Sequence, residues 1–174
     1  MNRRDLYRYA TLSLGGLMSL ALVVPGVAYL FEPLRRKSKS GEFRELARLS
    51  ELPVGVPRSF PIVDERQDAW VKYPKEPIGT VWLVRQPEGS QPAVLAFTAE
   101  CPHLGCAINL AADAKSFFCP CHTSAFDFQG HRLNDIPPRG MDTLEVAPLE
   151  GDDPVIRVKF ERFQSQSEEK KRLV

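Results

Sequence analysis

The chain of 174 residues is 43% hydrophobic, 26% charged and 9% aromatic, the balance of one modest folded domain with appendages, which excludes a wholly disordered chain, a collagen-like repeat and a coiled coil. Its net charge of +1 is unevenly spread: residues 1–40 carry seven Lys/Arg against two Asp/Glu (+5), and residues 41–174 carry sixteen against twenty (−4). The larger part therefore lacks the concentrated basic surface that nucleic acid requires, and no nucleic-acid partner is expected.

The N-terminus opens with Arg3-Arg4-Asp5-Leu6-Tyr7-Arg8 and then runs without charge from Tyr9 to Phe31. As a helix rising ~1.5 Å per residue, those 23 residues cover about 34 Å, enough to cross a hydrocarbon core of about 30 Å. Pro25 and Gly26 fall late in the run, and membrane helices tolerate both. A cleaved secretory signal is the competing reading, with Gly26-Val27-Ala28 as a small-residue cleavage site, although the run exceeds the roughly 7–15 apolar residues of a signal. Arg3, Arg4 and Arg8 before the run, against Arg35, Arg36, Lys37 and Lys39 after it, leave the positive-inside rule undecided. The pair Arg3-Arg4, with Leu6 and Tyr7 following, resembles a twin-arginine export signal, which leaves the N-terminus inside and everything beyond residue 35 outside. The expected organisation is a cytoplasmic segment 1–8, a transmembrane anchor 9–31, a flexible tether 32–42, a head 43–163 and a polar, loose tail 164–174.

Thirteen of the fifteen prolines lie beyond residue 40, which argues against long helices there. Thr80–Arg85 and Ala93–Phe97 are strand candidates, and Val155–Phe160 alternates, with Ile156, Val158 and Phe160 on one face and Arg157 and Lys159 on the other. Between them, Leu52–Pro57, Gln86–Ser90 and Glu150–Pro154 have turn or loop chemistry. The expected class of the head is all-β. Trp70 and Trp82 read as core or interface aromatics, His131 as a surface residue after Gly130, and the run Glu168–Arg172 as solvated. There is no internal repeat and no glycine-rich phosphate loop.

All four cysteines and two of the three histidines fall between Cys101 and His122, in two boxes: Cys101-Pro-His103-Leu-Gly105-Cys106 and Cys119-Pro-Cys121-His122-Thr-Ser124. Cys101 and His103 are two apart and Cys119 and His122 three apart, so each pair can bend round one metal atom from a tight loop, helped by Pro102, Gly105 and Pro120. Two such loops facing each other offer two thiolates and two imidazoles. A structural zinc site accepts that set but leaves Cys106 and Cys121 idle. A pair of disulfides uses four cysteines but does not explain a histidine in both boxes. A [2Fe–2S] cluster of Rieske type takes two Cys on one iron and two His on the other.

The boxes C-x-H-L-G-C and C-P-C-H-x-S resemble those of the Rieske iron–sulfur subunit of cytochrome bc-type quinol oxidoreductases, and the likeness extends to the twin-arginine anchor, the tether and the segment Ile136-Pro137-Pro138-Arg139-Gly140. The resemblance implies an antiparallel β head with a small cluster-binding subdomain near residues 99–140. It makes Cys101 and Cys119 the ligands of the buried iron, His103 and His122 those of the outer iron, and Cys106–Cys121 a disulfide clamping the loops. It places Leu104 over the cluster beside a docking surface, Ser124 as hydrogen-bond donor to a bridging sulfide, and Pro137 and Pro138 in a third wall. Two residues depart from the pattern. Thr123 stands where glycine is commonest, and Phe126 stands where high-potential members carry a tyrosine whose hydroxyl bonds a ligand sulfur, which implies a lowered potential suited to menaquinol.

The function so implied is an electron-transfer subunit of a membrane quinol:cytochrome c reductase, with no complete active site on this chain alone. His122 hydrogen-bonds quinol and accepts an electron and a proton together, and the electron passes to a cytochrome c-type haem. The implied partners are a cytochrome b subunit and a cytochrome c-type subunit in a dimeric complex of the bacterial cytoplasmic membrane, with the head on the periplasmic or extracellular side. The Rieske subunit of another exported redox enzyme, such as arsenite oxidase, is the alternative, and a zinc-stabilised binding module a more remote one.

Overall fold

The computed structural model describes residues 2–35, 42–65, 67–68 and 71–173, with side chains for all of these except 32–35, 67, 68 and 72. Trp70 and residues 36–41 of the expected tether lie outside the described residues. Two units separate, Met1–Ser38 and Lys39–Val174.

The first unit is one helix, α1 (Arg3–Arg35). It starts at Asn2, whose carbonyl accepts the amides of Asp5 and Leu6 at 3.0 and 3.1 Å, and Asp5 complements the dipole in the first turn. Leu12, Leu14, Leu17, Met18, Leu22 and Tyr29 are all exposed, so from Tyr9 to Phe31 α1 is apolar all round rather than on one stripe. A helix of that length and composition is able to cross a membrane. It also runs past the expected end of the anchor: residues 32–35, assigned above to the tether, are helical. Once a helix is nucleated each further residue adds a hydrogen bond, and Glu, Leu and Arg are good formers on either side of Pro33.

The second unit is all-β, with eleven strands among the described residues: β1 (Phe43–Arg48), β2 (Arg58–Asp64), β3 (Gln67–Asp68), β4 (Val71–Lys72), β5 (Glu76–Arg85), β6 (Val94–Thr98), β7 (Asn109–Leu110), β8 (Phe117–Cys119), β9 (Ser124–Phe126), β10 (Glu145–Val146) and β11 (Val155–Lys159). They form antiparallel sheets in the orders β1-β11-β10, β2-β5-β6, β3-β4 and β7-β8-β9. The three strand candidates appear as β5, which starts four residues earlier than expected, β6 and β11.

The β5–β6 hairpin divides the interior, and strand periodicity is the reason. Successive side chains point to opposite faces. Val81, Leu83, Val94 and Ala96 enter one apolar cluster with Leu52, Ile156, Val158 and Phe160. Their neighbours Trp82, Val84 and Phe97 enter a second cluster with Ile108, Phe117, Phe126, Met141 and both Cys101 and Cys119. Trp82 is the core residue expected, 9% exposed, and its indole donates to the Ile108 carbonyl at 2.9 Å. One face of the hairpin thus seals the base of the head, and the other supports the two boxes.

The tail is not loose, contrary to expectation. Gln164 N–H donates to the Lys171 carbonyl and Leu173 N–H to that of Arg162, both at 2.8 Å, so the segment closes on itself as a narrow hairpin. The run Glu168–Arg172 is exposed, as expected, but two of its side chains are fastened: Lys170 Nζ donates to the carbonyl and hydroxyl oxygens of Thr143 at 2.6 and 3.0 Å, and Arg172 pairs with the buried Glu161 at 2.9 Å. Polar composition predicts looseness only where backbone and charge find no partners, and here they find them far away in sequence.

Candidate metal centre

The first box is the tip of a hairpin closed by the Glu100–Ala107 bridge. Cys101 N–H donates to the Cys106 carbonyl at 2.8 Å, and Gly105 N–H to the Cys101 carbonyl at 2.7 Å. That tight return needs Gly105 in the left-handed region, φ +76°, where a side chain is strained. The second box is the tip of the β8–β9 hairpin, where Cys119 pairs with Ser124. Its return uses Thr123 at φ +60°, a conformation that a β-branched residue rarely adopts. Asn134 Nδ2 holds the Thr123 carbonyl at 2.8 Å, and the Thr123 hydroxyl donates to the His122 carbonyl at 2.7 Å.

The two tips are joined. Cys106 and Cys121 form a disulfide with their Cα atoms 6.5 Å apart. The rings of His103 and His122 lie 4.8 Å apart, edge to face at 84°. Cys101 and Cys119 remain thiols and are each 1% exposed, whereas His103 is half-buried and His122 exposed. Two disulfides are therefore excluded. The sulfurs of Cys106, Cys119 and Cys121 lie within 4.8 Å of one another, but the two bonded ones offer no thiolate, which leaves Cys101 and Cys119 as the thiols that could hold a metal.

Burial pushes the Cys101 thiol above its ordinary range, and the neighbouring Cys119 adds to the rise, while the His103 amide and the Ser124 hydroxyl pull it down. A thiolate there needs a bound cation to offset desolvation. The Ser124 hydroxyl, wholly buried, faces Cys101 without reaching hydrogen-bond geometry and finds no partner among the described residues. A buried unpaired donor beside the Cys101 thiol fits a bound group that carries acceptors of its own, such as a sulfide-bridged cluster, better than a bare ion. The Cys2His2 donor set is the one that a Rieske [2Fe–2S] centre uses.

The remaining expected residues fall around these tips. Phe126 is fully buried in the same cluster as Cys101 and Cys119 and carries no hydroxyl. Leu104 is 44% exposed at the end of the first tip. Pro137 is buried and Pro138 half-buried in segment 133–140, which is tied to the second hairpin by Leu133 N–H to the Ala125 carbonyl (2.8 Å) and closed by Arg132 Nη1 to the Pro137 carbonyl (3.1 Å). Gly140 passes so close that an added Cβ would lie 2.5 Å from the Gly130 carbonyl oxygen. His131 is a surface residue as expected, 78% exposed and 3.1 Å from the Asp127 carboxylate. A surface groove of about 480 Å³ lined by Phe60, Trp82 and Leu110 includes no residue of either box. Sequence reasoning missed Asn134, Arg139 and the tail, none of which stands out by type or spacing.

Residues 43–148 match the family model described as "Rieske [2Fe-2S] domain". The chain is 26% identical over 155 residues to the menaquinol:cytochrome c reductase iron-sulfur subunit of Geobacillus thermodenitrificans, covering 87% of this chain and 88% of that protein. It is 26% identical over 153 residues to the subunit of the same name from Bacillus subtilis, covering 86% and 83%. To the cytochrome b6-f complex iron-sulfur subunit of Chlorobaculum thiosulfatiphilum it is 25% identical over 142 residues, covering 82% and 67%. With two buried thiols, two imidazoles and a disulfide clamp inside the matched segment, this chain belongs to the Rieske [2Fe–2S] family, and one [2Fe–2S] cluster is its cofactor.

Proposed function

We propose that this chain is the iron–sulfur, electron-transfer subunit of a membrane quinol:cytochrome c reductase, with menaquinol as the quinol. The relatives matched over most of their length carry that name, and the Phe126 position, without a donor to sulfur, agrees with a low-potential substrate. Cys101 and Cys119 hold the inner iron, and His103 and His122 the outer one. When bound, the cluster supplies a one-electron acceptor.

The observation that carries this reading is the outward gradient of the donor set, from two thiols each 1% exposed, through half-buried His103, to exposed His122. An imidazole that ligates through one nitrogen keeps the other free. On exposed His122 that nitrogen carries an N–H, which the positive charge of a bound oxidised cluster would acidify; once deprotonated it could accept a hydrogen bond from a quinol hydroxyl and take up the quinol's proton as the electron is transferred. The electron goes on to a cytochrome c-type haem, and a cytochrome b subunit completes the quinol site, in a dimeric complex. The helix α1 serves as a single-pass anchor in the bacterial cytoplasmic membrane, its N-terminus inside and the head on the opposite side, delivered by the Arg3-Arg4 signal.

Electron paramagnetic resonance of the full-chain protein tests the reading, first after ascorbate and then after dithionite. A rhombic signal with average g below the free-electron value is expected, and a signal that develops only with dithionite agrees with menaquinol. A metal-bearing protein that stays silent under both reductants discards the redox role and restores the zinc-stabilised module.

A further inference from the structure

The C-terminal hairpin lies outside the segment matched to the family, yet its turn rests on the first box. Gln166 N–H donates at 2.9 Å to the carbonyl of Pro102, the residue between Cys101 and His103. Gln166 makes that contact from the left-handed region, φ +59°. A Cβ on Gly105 would lie 3.5 Å from Ser165 Oγ, so the hairpin also abuts the other side of the loop. Arg162 pairs at 2.8 Å with Glu100, immediately before Cys101.

Arg139, just after the two prolines, ties this hairpin down. Its side chain is 11% exposed. Nε and Nη2 fork onto the two oxygens of Asp142, itself 4% exposed, at 2.8 and 2.7 Å. Nη2 also donates to the Gln164 carbonyl at 2.8 Å, and Nη1 to the Ser167 carbonyl. A nearly buried guanidinium is stable only with such a full set of acceptors, and the planar fork is what lets one side chain span them. Lys170 adds a second fastening, with Nζ on Thr143 and 4.5 Å over the Phe163 ring.

We propose that the C-terminal hairpin is a strap that positions the first histidine loop, with Arg139 as the positioning residue that links the strap to the segment after the prolines. Released from Arg139, the turn at Gln166 loses its register, the Pro102 carbonyl loses its donor, and the loop carrying His103 opens locally. The proposal rests on His103 being a cluster ligand, which the iron content and resonance signal of the unaltered protein test separately.

Hydrogen–deuterium exchange on the full-chain holoprotein decides it, comparing the unaltered protein with Arg139→Lys and with a chain ended after Phe163. Amides 103–106 are expected to exchange about tenfold faster in both variants, with 119–124, β5 and β6 unchanged. The resonance line is expected to broaden at unchanged iron content, as the His103 geometry spreads. Arg139→Lys keeps the charge but loses the fork, so it decides the matter even if the shortened chain does not fold. Unchanged exchange at 103–106 in Arg139→Lys overturns the strap. So does acceleration spread evenly over β5, β6 and both boxes, or faster loop exchange with an unaltered resonance line, because either reduces the hairpin to general stabilisation.

Discussion

In the first box the chain leaves β6 through Glu100, turns at Gly105 with φ +76° and returns through Ala107; in the second it leaves β8 at Cys119, turns at Thr123 with φ +60° and re-enters β9 at Ser124. Both tips offer one buried thiol and one outward imidazole, but their supports differ in range. The second is held from nearby, by β8–β9 pairing and by Asn134, eleven residues from Thr123. The first is held at Pro102 by Gln166, at the far end of the chain, and the disulfide ties the two together. Equal ligand chemistry does not require equal construction. Both loops have local closure at low cost, the first through the Glu100–Ala107 bridge, but the first adds a contact to the far end of the chain that forms only when the whole head has closed.

The comparison is broken most completely at the proposed ligands, which ought to be equivalent across boxes. Cys101→Ser, His103→Leu, Cys119→Ser and His122→Leu are each expected to abolish the resonance signal and the bound iron. A variant that keeps a full cluster removes that residue from the set. Next comes the bridge between the boxes. Replacing Cys106 and Cys121 together by alanine frees a loop with a separation of 15 residues and should cost about 3 kcal/mol in chemical unfolding, with weaker retention of iron.

A smaller and more specific effect concerns the shared floor. Phe126→Tyr places a hydroxyl in the apolar cluster that holds the Cys101 and Cys119 sulfurs, the proposed ligands. One hydrogen bond worth about 1.4 kcal/mol to the reduced state raises the midpoint by about 60 mV for one electron. A redox titration with an unmoved midpoint would sink the tuning role of Phe126.

Thr123→Gly tests the contrast of the two turns directly. Relief of a left-handed β-branched residue gains roughly 1–2 kcal/mol, and glycine's extra chain entropy takes back about 0.5–1, so a net gain below about 1.5 kcal/mol is expected in unfolding experiments. Glycine already occupies the corresponding turn of the first box, so there the reverse change, Gly105→Ala, should destabilise.

The smallest effect lies outside both boxes and serves as a control. Asp153 accepts the amide and hydroxyl of Ser50, both at 2.9 Å, which holds its carboxyl below the ordinary range. Because the folded-state value is the lower one, this contact stabilises above pH ~4 and is lost as pH falls through the depressed value. Asp153→Asn should therefore lower the unfolding midpoint slightly at neutral pH, with the difference from the unaltered protein shrinking in acid.

Much of the site was legible because its chemistry is written in residue type and spacing. Cys101, His103, Cys119 and His122 need only short loops to converge, and Gly105 marks one of the returns. The strands were legible where apolar residues alternate, as in Val155–Phe160, and less so in β5, where both faces are buried and alternation disappears. Arg139 and Asn134 left no trace, since a surface arginine and a turn asparagine read the same whether or not they find a buried partner. The tail misled for the same reason.

The amino-acid sequence by itself determined the two Cys/His boxes, the apolar span of Tyr9–Phe31, the all-β character of the head and the family that these features resemble, because each depends on local chemistry or on a short period. Only the tertiary structure decided that the β5–β6 hairpin feeds two separate clusters, that Cys101 and Cys119 are buried while His122 is exposed, and that the C-terminal hairpin reaches back to Pro102. These last properties depend on which distant groups meet, and a buried guanidinium or a returning strap acquires its partners only once the whole chain has folded.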